Sequence, residues 1–197
     1  AAVMLTEYYG EDEAEIEQRL DHLKSHLRAR GWHGDIVHLT DRGRQADVWE
    51  VRKAGLNLLN SRRGDFKPVP GIEDVSVPQE KLAEYMAKLF DFAAAQGDIP
   101  GVAVYAHASA GCLHVRPLLN VKRARGVELL QTLGEFACDL AVDYGGAMSG
   151  EHGDGYARSA LNPRIFGPEL YAALREIKGT LDRKSTRLNS SHRCISY

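Results

Sequence analysis

Two histidines lie seven residues apart in the segment YAHASAGCLHVRPLLN, residues 105–120. Small residues at 108–111 separate His107 from His114, and β-prone runs flank them, so the pattern predicts a hairpin with His107 opposite Cys112. Because side chains alternate along a strand, both imidazoles then share one polar face as diagonal neighbours, roughly 7–8 Å apart. Two converging imidazoles can bind a divalent metal, although pairs of histidines on a sheet surface also occur without one.

A second polar group follows in SGEHGDG, residues 149–155, where Glu151 and His152 stand side by side between glycines. An extended backbone would point these two side chains in different directions and give them separate tasks. The carboxylate suits the third position of a His/His/Glu metal set with one open site, and the imidazole suits proton transfer near neutral pH. The alternative is a glycine-rich turn whose charged residues are solvated.

Cationic side chains are concentrated in VWEVRKAGLNLLNSRRGDFKPVP, which contains Arg52, Arg62, Arg63 and Lys67. A guanidinium can bind a carboxylate through two parallel hydrogen bonds. We expect Arg62 and Arg63 to be solvated, whereas Arg52 follows Trp49 among apolar neighbours and is predicted to be buried or functional.

These residues need secondary structure to position them, and the sequence alternates between strand and helix patterns. Strands are expected at 3–9, 34–40, 101–107 and 112–118, and helices at 11–31, at 42–61, after Pro78, at 122–144 and at 168–179. The prolines of KPVPGIEDVSVP argue against a central strand there. Because two strands adjoin directly, we predict an α+β fold, a mostly antiparallel sheet with helices packed on one face.

The bulk composition bounds the class of protein. The chain has 197 residues, 44% of them hydrophobic, and a net charge of −2, which predicts one or two globular domains without general affinity for nucleic acid or lipid. There is no signal-peptide pattern or membrane-spanning run, and the three cysteines lack metal-type spacing, so a cytoplasmic location is expected. The segment RKSTRLNSSHRCISY, residues 183–197, is predicted to be a disordered or non-native tail, and we assign no function to His192 or Cys194.

Three stretches taken together resemble the C-terminal, substrate-side domain of FAD-linked 2-hydroxyacid dehydrogenases: WEVRKAG with RRGDFKPVPGIEDVSVP, then AHASAGCLHVRP, then YGGAMSGEHGDGYARS. This is the vanillyl-alcohol-oxidase-like superfamily, which includes D-lactate, glycolate and D-2-hydroxyglutarate dehydrogenases. The resemblance covers residues 1–182 and is greatest to long forms fused to an iron–sulfur domain. It implies a ferredoxin-like cap domain, taken from a longer enzyme, that works with an N-terminal FAD-binding domain and is inactive alone.

The resemblance also implies roles for individual residues. His107, His114 and Glu151 match ligands of a divalent metal, commonly zinc, and His152 matches the residue that takes the proton of the substrate hydroxyl. The implied reaction is oxidation of a D-2-hydroxy acid to the 2-oxo acid, with hydride transfer to FAD.

Three cations are implied to bind the substrate. Arg52 and Lys67 match positions that hold carboxylate groups, and Arg116 stands where many relatives carry Asn, which favours a more acidic substrate such as a dicarboxylate. In the longer enzyme the implied location is the cytoplasm, with peripheral attachment to the inner membrane as an option. Two other functions stay open at this point: a stand-alone metal-dependent hydrolase that uses His107, His114 and Glu151, and a non-catalytic cap domain.

Overall fold

A computed structural model describes residues 2–182, which divide into two compact units at Gly55 and Leu56. The first unit contains helix α1 (Glu13–Ala29) and most of helix α2 (Arg42–Asn60). Asp12 caps α1 by accepting a hydrogen bond from the amide N–H of Glu15. Acidic residues in the first turn also stabilise the helix, because they interact favourably with the positive end of its dipole. No helix within residues 2–182 is long and apolar enough to cross a membrane. The tail at 183–197 lies outside the described residues.

The strands predicted at 3–9 and 34–40 are wrong, because both segments are irregular. A strand requires a hydrogen-bonded neighbour, and in the described part of the chain neither segment pairs with another. The apolar side chains that suggested these strands stay exposed, as in Val3 and Val37.

The second unit is built on one antiparallel sheet. Its strands are β1 (Lys67–Pro68), β2 (Ile72–Ser76), β3 (Val102–His107) and β4 (Cys112–Leu119). Strand β4 is central, since it pairs with β3 on one side and with β2 and β1 on the other. The prolines of residues 67–78 flank β2 and do not interrupt it, so the backbone N–H groups of this strand can donate hydrogen bonds to β4.

The helices of the second unit are α3 (Leu82–Ala95), α4 (Ala124–Asp143), α5 (Gly155–Arg158) and α6 (Asn162–Leu181). Helix α6 begins six residues before the predicted Pro168, and the backbone breaks at Gly167, whose φ is +71°. Val127 of α4 faces solvent and is 53% exposed.

One face of the sheet carries the hydrophobic core. Apolar residues of β2 and β4 pack there against Tyr85 and Leu89 of α3 and Leu133 and Ala137 of α4. The order β2–α3–β3–β4–α4, with β4 between β2 and β3, is that of a ferredoxin-like unit, and the bridge between Ser76 and Ala147 takes the place of a fourth strand. The predicted α+β class is therefore confirmed, and the opposite face of the sheet is free to carry polar residues.

Replacing Leu133 with alanine tests this core. Leu133 is fully buried, so Leu133→Ala should lower the free energy of unfolding by about 2–5 kcal/mol. The control on the same helix is Val127→Ala, which should change it by less than about 0.5 kcal/mol. Urea titrations of both variants measure the difference, and equal effects would contradict the assigned packing of α4.

Candidate functional site

The hairpin of β3 and β4 has the predicted register. His107 pairs with Cys112 and Tyr105 pairs with His114, so both histidines lie on the face opposite the core. The turn depends on Gly111, whose φ is +67° and whose hydrogen atoms face the carbonyl oxygen of Val77, where a Cβ atom would come within 2.0 Å. Only glycine fits at this position.

The two imidazoles and the carboxylate of Glu151 converge. The ring centroids of His107 and His114 are 5.3 Å apart, and their planes are nearly perpendicular at 89°. One oxygen of Glu151 lies 3.5 Å from Nε2 of His107, and the other lies 3.8 Å from Nε2 of His114. Two ligands of one tetrahedral zinc ion are roughly 3.4 Å apart, so these separations leave room for a shared cation.

A bulge in β2 positions the loop that carries Glu151. The register shifts between Glu73 and Val75, and Asp74 is the extra residue, with φ at +76°. In a regular strand Glu73 and Asp74 would point to opposite faces, with Asp74 in the core. The bulge instead turns Asp74 toward the polar face, beside Glu73, which pairs with His114.

Asp74 is fully buried and holds the loop through its carboxylate. Its oxygens accept hydrogen bonds at 2.7 Å from the amides of Glu151 and His152 and from the hydroxyl of Ser149. Burial acts to raise the pKa of Asp74, but these hydrogen bonds outweigh it and hold the pKa below its usual value. The loop is therefore fastened by an ionised carboxylate.

Arg158 fastens the loop from the other side. Its buried guanidinium donates to the carbonyl oxygens of Glu73, Met148 and Gly153, and it lies 3.7 Å from Asp74. The charge of the arginine offsets that of the buried aspartate. Together these contacts fix Glu151 relative to the sheet.

His152 lies beside the three converging groups, contrary to the expectation that it would diverge from Glu151. Its Nε2 is 3.5 Å from a Glu151 oxygen, and its ring stacks on His114 with centroids 5.4 Å apart. The reason is that residues 150–152 form bends and not an extended strand. The His152 side chain is 52% exposed, so a small molecule can reach it.

Glu73 is, like Asp74 and Arg158, a residue of the site that sequence reasoning missed. Its Oε1 lies 3.3 Å from Nδ1 of His114 and 3.8 Å from Nδ1 of His152, and its Oε2 lies 2.9 Å from the guanidinium of Arg116. In the sequence, only the acidic pair Glu73–Asp74 between apolar residues indicates this part of the site. Without knowledge of the bulge, that pair is typical of an edge strand.

Of the three predicted substrate cations, Arg116 lies in this cluster, beside Glu73. Arg52 belongs to the first unit, where it is exposed and its guanidinium lies 5.5 Å from the ring centroid of Trp49; of the two alternatives for this residue burial is excluded, and a functional role stays a prediction. The ammonium of Lys67 donates to the carbonyl of Arg62, and among the described residues it makes no contact with the histidines. Arg62 and Arg63 are exposed, as predicted.

Cys112 is a packed thiol at the base of the cluster. It is buried, and its Sγ donates to Asp74 over 3.6 Å. Burial, aided by the carboxylates of Glu151 and Asp74, raises the pKa of Cys112 to about 11. Without a bound metal the thiol is therefore protonated and neutral, which makes it a poor nucleophile.

This arrangement can perform two kinds of chemistry. Side chains of His107, His114 and Glu151 can hold a divalent cation, since their candidate ligand atoms lie within 4.8 Å of one another. An exposed imidazole next to such a centre can accept a proton from a bound hydroxyl group.

Comparison with known proteins gives the family. A model of the family described as FAD linked oxidases, C-terminal domain, matches residues 1–189. The chain belongs to this family, which confirms the resemblance seen in its three motifs.

Individual relatives support the same class. The chain is 36% identical over 184 residues to a D-2-hydroxyglutarate dehydrogenase of Pseudomonas putida, a match covering 91% of this chain and 18% of that protein. It is 34% identical to the D-2-hydroxyglutarate dehydrogenase of Escherichia coli, over 96% of this chain and 19% of that protein. It is also 24% identical to the glycolate oxidase subunit GlcD of Bacillus subtilis, over 93% of this chain and 37% of that protein. The chain thus spans about a fifth of the two dehydrogenases.

The variant Asp74→Asn tests how the loop is fastened. Asparagine tolerates a positive φ, but its NH₂ group would face amide donors, so we expect a loss of about 1–3 kcal/mol in the free energy of unfolding. Asp91→Asn, on the exposed surface of α3, is the control. Chemical denaturation compares the two, and an unchanged stability of Asp74→Asn would contradict the role of this carboxylate.

Proposed function

We propose that residues 1–182 form the substrate-side domain of a flavin-dependent dehydrogenase that oxidises a D-2-hydroxy acid to the 2-oxo acid. The observation that carries the proposal is the meeting of His107, His114 and Glu151 beside His152, in a chain of the FAD-linked oxidase family. Relatives named as D-2-hydroxyglutarate and D-lactate dehydrogenases support this substrate class.

A divalent cation, with zinc as our first choice, would be held by His107, His114 and Glu151. The residues fit this group, because two imidazole Nε2 atoms face a carboxylate at 3.5 and 3.8 Å and the set mixes nitrogen and oxygen donors. Such an ion supplies Lewis-acid polarisation of a bound hydroxyl group.

His152 would act as the general base. Oxidation of a 2-hydroxy acid releases a hydride from C2 and a proton from the hydroxyl oxygen, and a bound FAD would supply the hydride acceptor. The proton then passes to Nε2 of His152, which is exposed and lies next to the proposed cation site. The stacked ring of His114 keeps the base in place.

The anionic ends of the substrate need cations. Arg52 and Lys67 both have exposed side chains in this chain. We propose that they serve this purpose in the longer protein. FAD would be bound mainly by an N-terminal domain, and the likeness to long forms extends the proposal to an iron–sulfur domain as a further partner. A stand-alone hydrolase is not favoured, because the family is FAD-linked.

The variant His152→Gln tests the proposed base in the flavin-loaded, full-length protein that carries this chain. Because a general base contributes about 10²–10⁴-fold, kcat should fall by that factor while KM changes little. Anaerobic bleaching of the flavin by D-2-hydroxyglutarate and D-lactate is the measurement.

The matched control for that experiment is His33→Gln, an exposed histidine of the first unit. Wild-type rates in His152→Gln would contradict the assignment of the base. Absence of bleaching by every 2-hydroxy acid tried would contradict the proposed reaction.

Metal analysis tests the ligand set separately. Purified wild-type protein should retain about one zinc ion, whereas His107→Ala and Glu151→Ala should lose most of it because each removes a ligand. Elemental analysis by mass spectrometry gives the content, with His33→Ala as the control. Equal zinc in all four proteins would remove the ligand assignment.

A further inference from the structure

Two stacked imidazoles lie between two carboxylates in this site. Glu151 faces the Nε2 atoms of both His114 and His152, at 3.8 and 3.5 Å. Glu73 faces the Nδ1 atoms of the same two rings, at 3.3 and 3.8 Å. Both rings therefore have Nε2 on the side of Glu151 and Nδ1 on the side of Glu73.

The Glu73 side is the more buried one. The side chains of His114, Arg116 and Glu73 are only 11%, 13% and 17% exposed. Nδ1 of His114 and Oε2 of Glu73 are buried without a properly aligned hydrogen bond, although each has an oppositely polarised neighbour within 3.3 Å. A small rotation of either side chain would let Nδ1–H of His114 donate to Glu73. Glu73 is nearer to His114 than Glu151 is, at 3.3 Å against 3.8 Å, and less exposed, at 17% against 40%, so it competes better for the single proton of a neutral imidazole.

We propose that Glu73 is the positioning residue of this cluster, and that it keeps the Nδ1–H tautomer of His114. With the proton on Nδ1, the lone pair of His114 Nε2 stays open for a cation that Glu151 would share. Carboxylates that accept from the far nitrogen of a metal-binding histidine fix its orientation and its tautomer in this way. This inference rests on the proposed function for what Nε2 of His114 then does, namely bind a cation.

Arg116 then has a role other than substrate binding, because it orients Glu73. Its guanidinium contacts Oε2 of Glu73, which leaves Oε1 directed at the two rings. Arg116 thus acts on the histidines through Glu73, and it offsets the charge of a carboxylate that is mostly removed from water.

Nuclear magnetic resonance of the full chain, labelled with nitrogen-15 in its histidines, tests the tautomer directly. Long-range proton–nitrogen spectra without metal, at mildly alkaline pH where imidazoles are neutral, distinguish Nδ1–H from Nε2–H. We expect His114 to be Nδ1–H in the wild type. An Nε2–H tautomer of His114 in the wild type would overturn the proposal, and this measurement requires no variant to fold.

A pair of variants then isolates Glu73. The double variant Glu73→Leu/Arg116→Met replaces both buried charges with apolar groups of similar size, so neither charge is left unpaired. The single variant Arg116→Met keeps the carboxylate and is the matched control. We expect the double variant to lose the Nδ1–H preference and the control to retain it.

Zinc affinity, measured by competition with a chelator, is a second test of the role of Glu73. The double variant should bind zinc roughly 10–100-fold more weakly than the wild type, and Arg116→Met should lie between them. Wild-type affinity in the double variant would overturn the role of Glu73 and leave the proposed ligands standing. If the wild type binds no zinc, the proposed cation site fails, while the tautomers of His114 still decide the inference.

Discussion

The buried carboxylate of Asp74 is the contact on which the site depends. It accepts hydrogen bonds from the amides of Glu151 and His152 and so ties the loop after α4 to the second strand of the sheet. The histidines of β3 and β4 and the loop residues come from distant parts of the chain, and their convergence needs this contact. The bulge with a positive φ at Asp74 is the backbone feature that makes the contact possible.

The charges of the cluster are arranged in alternating layers. Arg116 lies against Glu73, Glu73 faces two imidazoles, and the imidazoles face Glu151. Each group has an oppositely charged or polarisable neighbour, which is how buried ionisable groups are tolerated. The outer layer, with His107 and His152, is the more exposed and is the part that a substrate could reach.

Sequence alone predicted the parts of the site that follow a simple period. The hairpin register and the shared face of His107 and His114 follow from alternation along two strands joined by a short turn. Glu73 and Asp74 could not be found in this way, because a bulge breaks alternation and places neighbouring residues on one face. Knowing which residue is added requires the partner strand, and a single sequence does not show the pairing.

The same limit explains the two strands wrongly expected in residues 2–55. Apolar runs there resemble strands by composition, but a strand is defined by the neighbour that accepts its hydrogen bonds. The helices were predicted more closely, since α4 at Ala124–Asp143 differs from the expected bounds by one or two residues. Local capping and the 3.6-residue period are sufficient for helices but not for sheet partners.

A crystal structure of the zinc-loaded protein, with anomalous scattering recorded at the zinc edge, tests the central claim most directly. We expect one anomalous peak bonded to Nε2 of His107, Nε2 of His114 and the carboxylate of Glu151, at about 2.0–2.2 Å from each atom. A peak held by Glu73 and His152 instead, or no peak within reach of Glu151, would contradict the account.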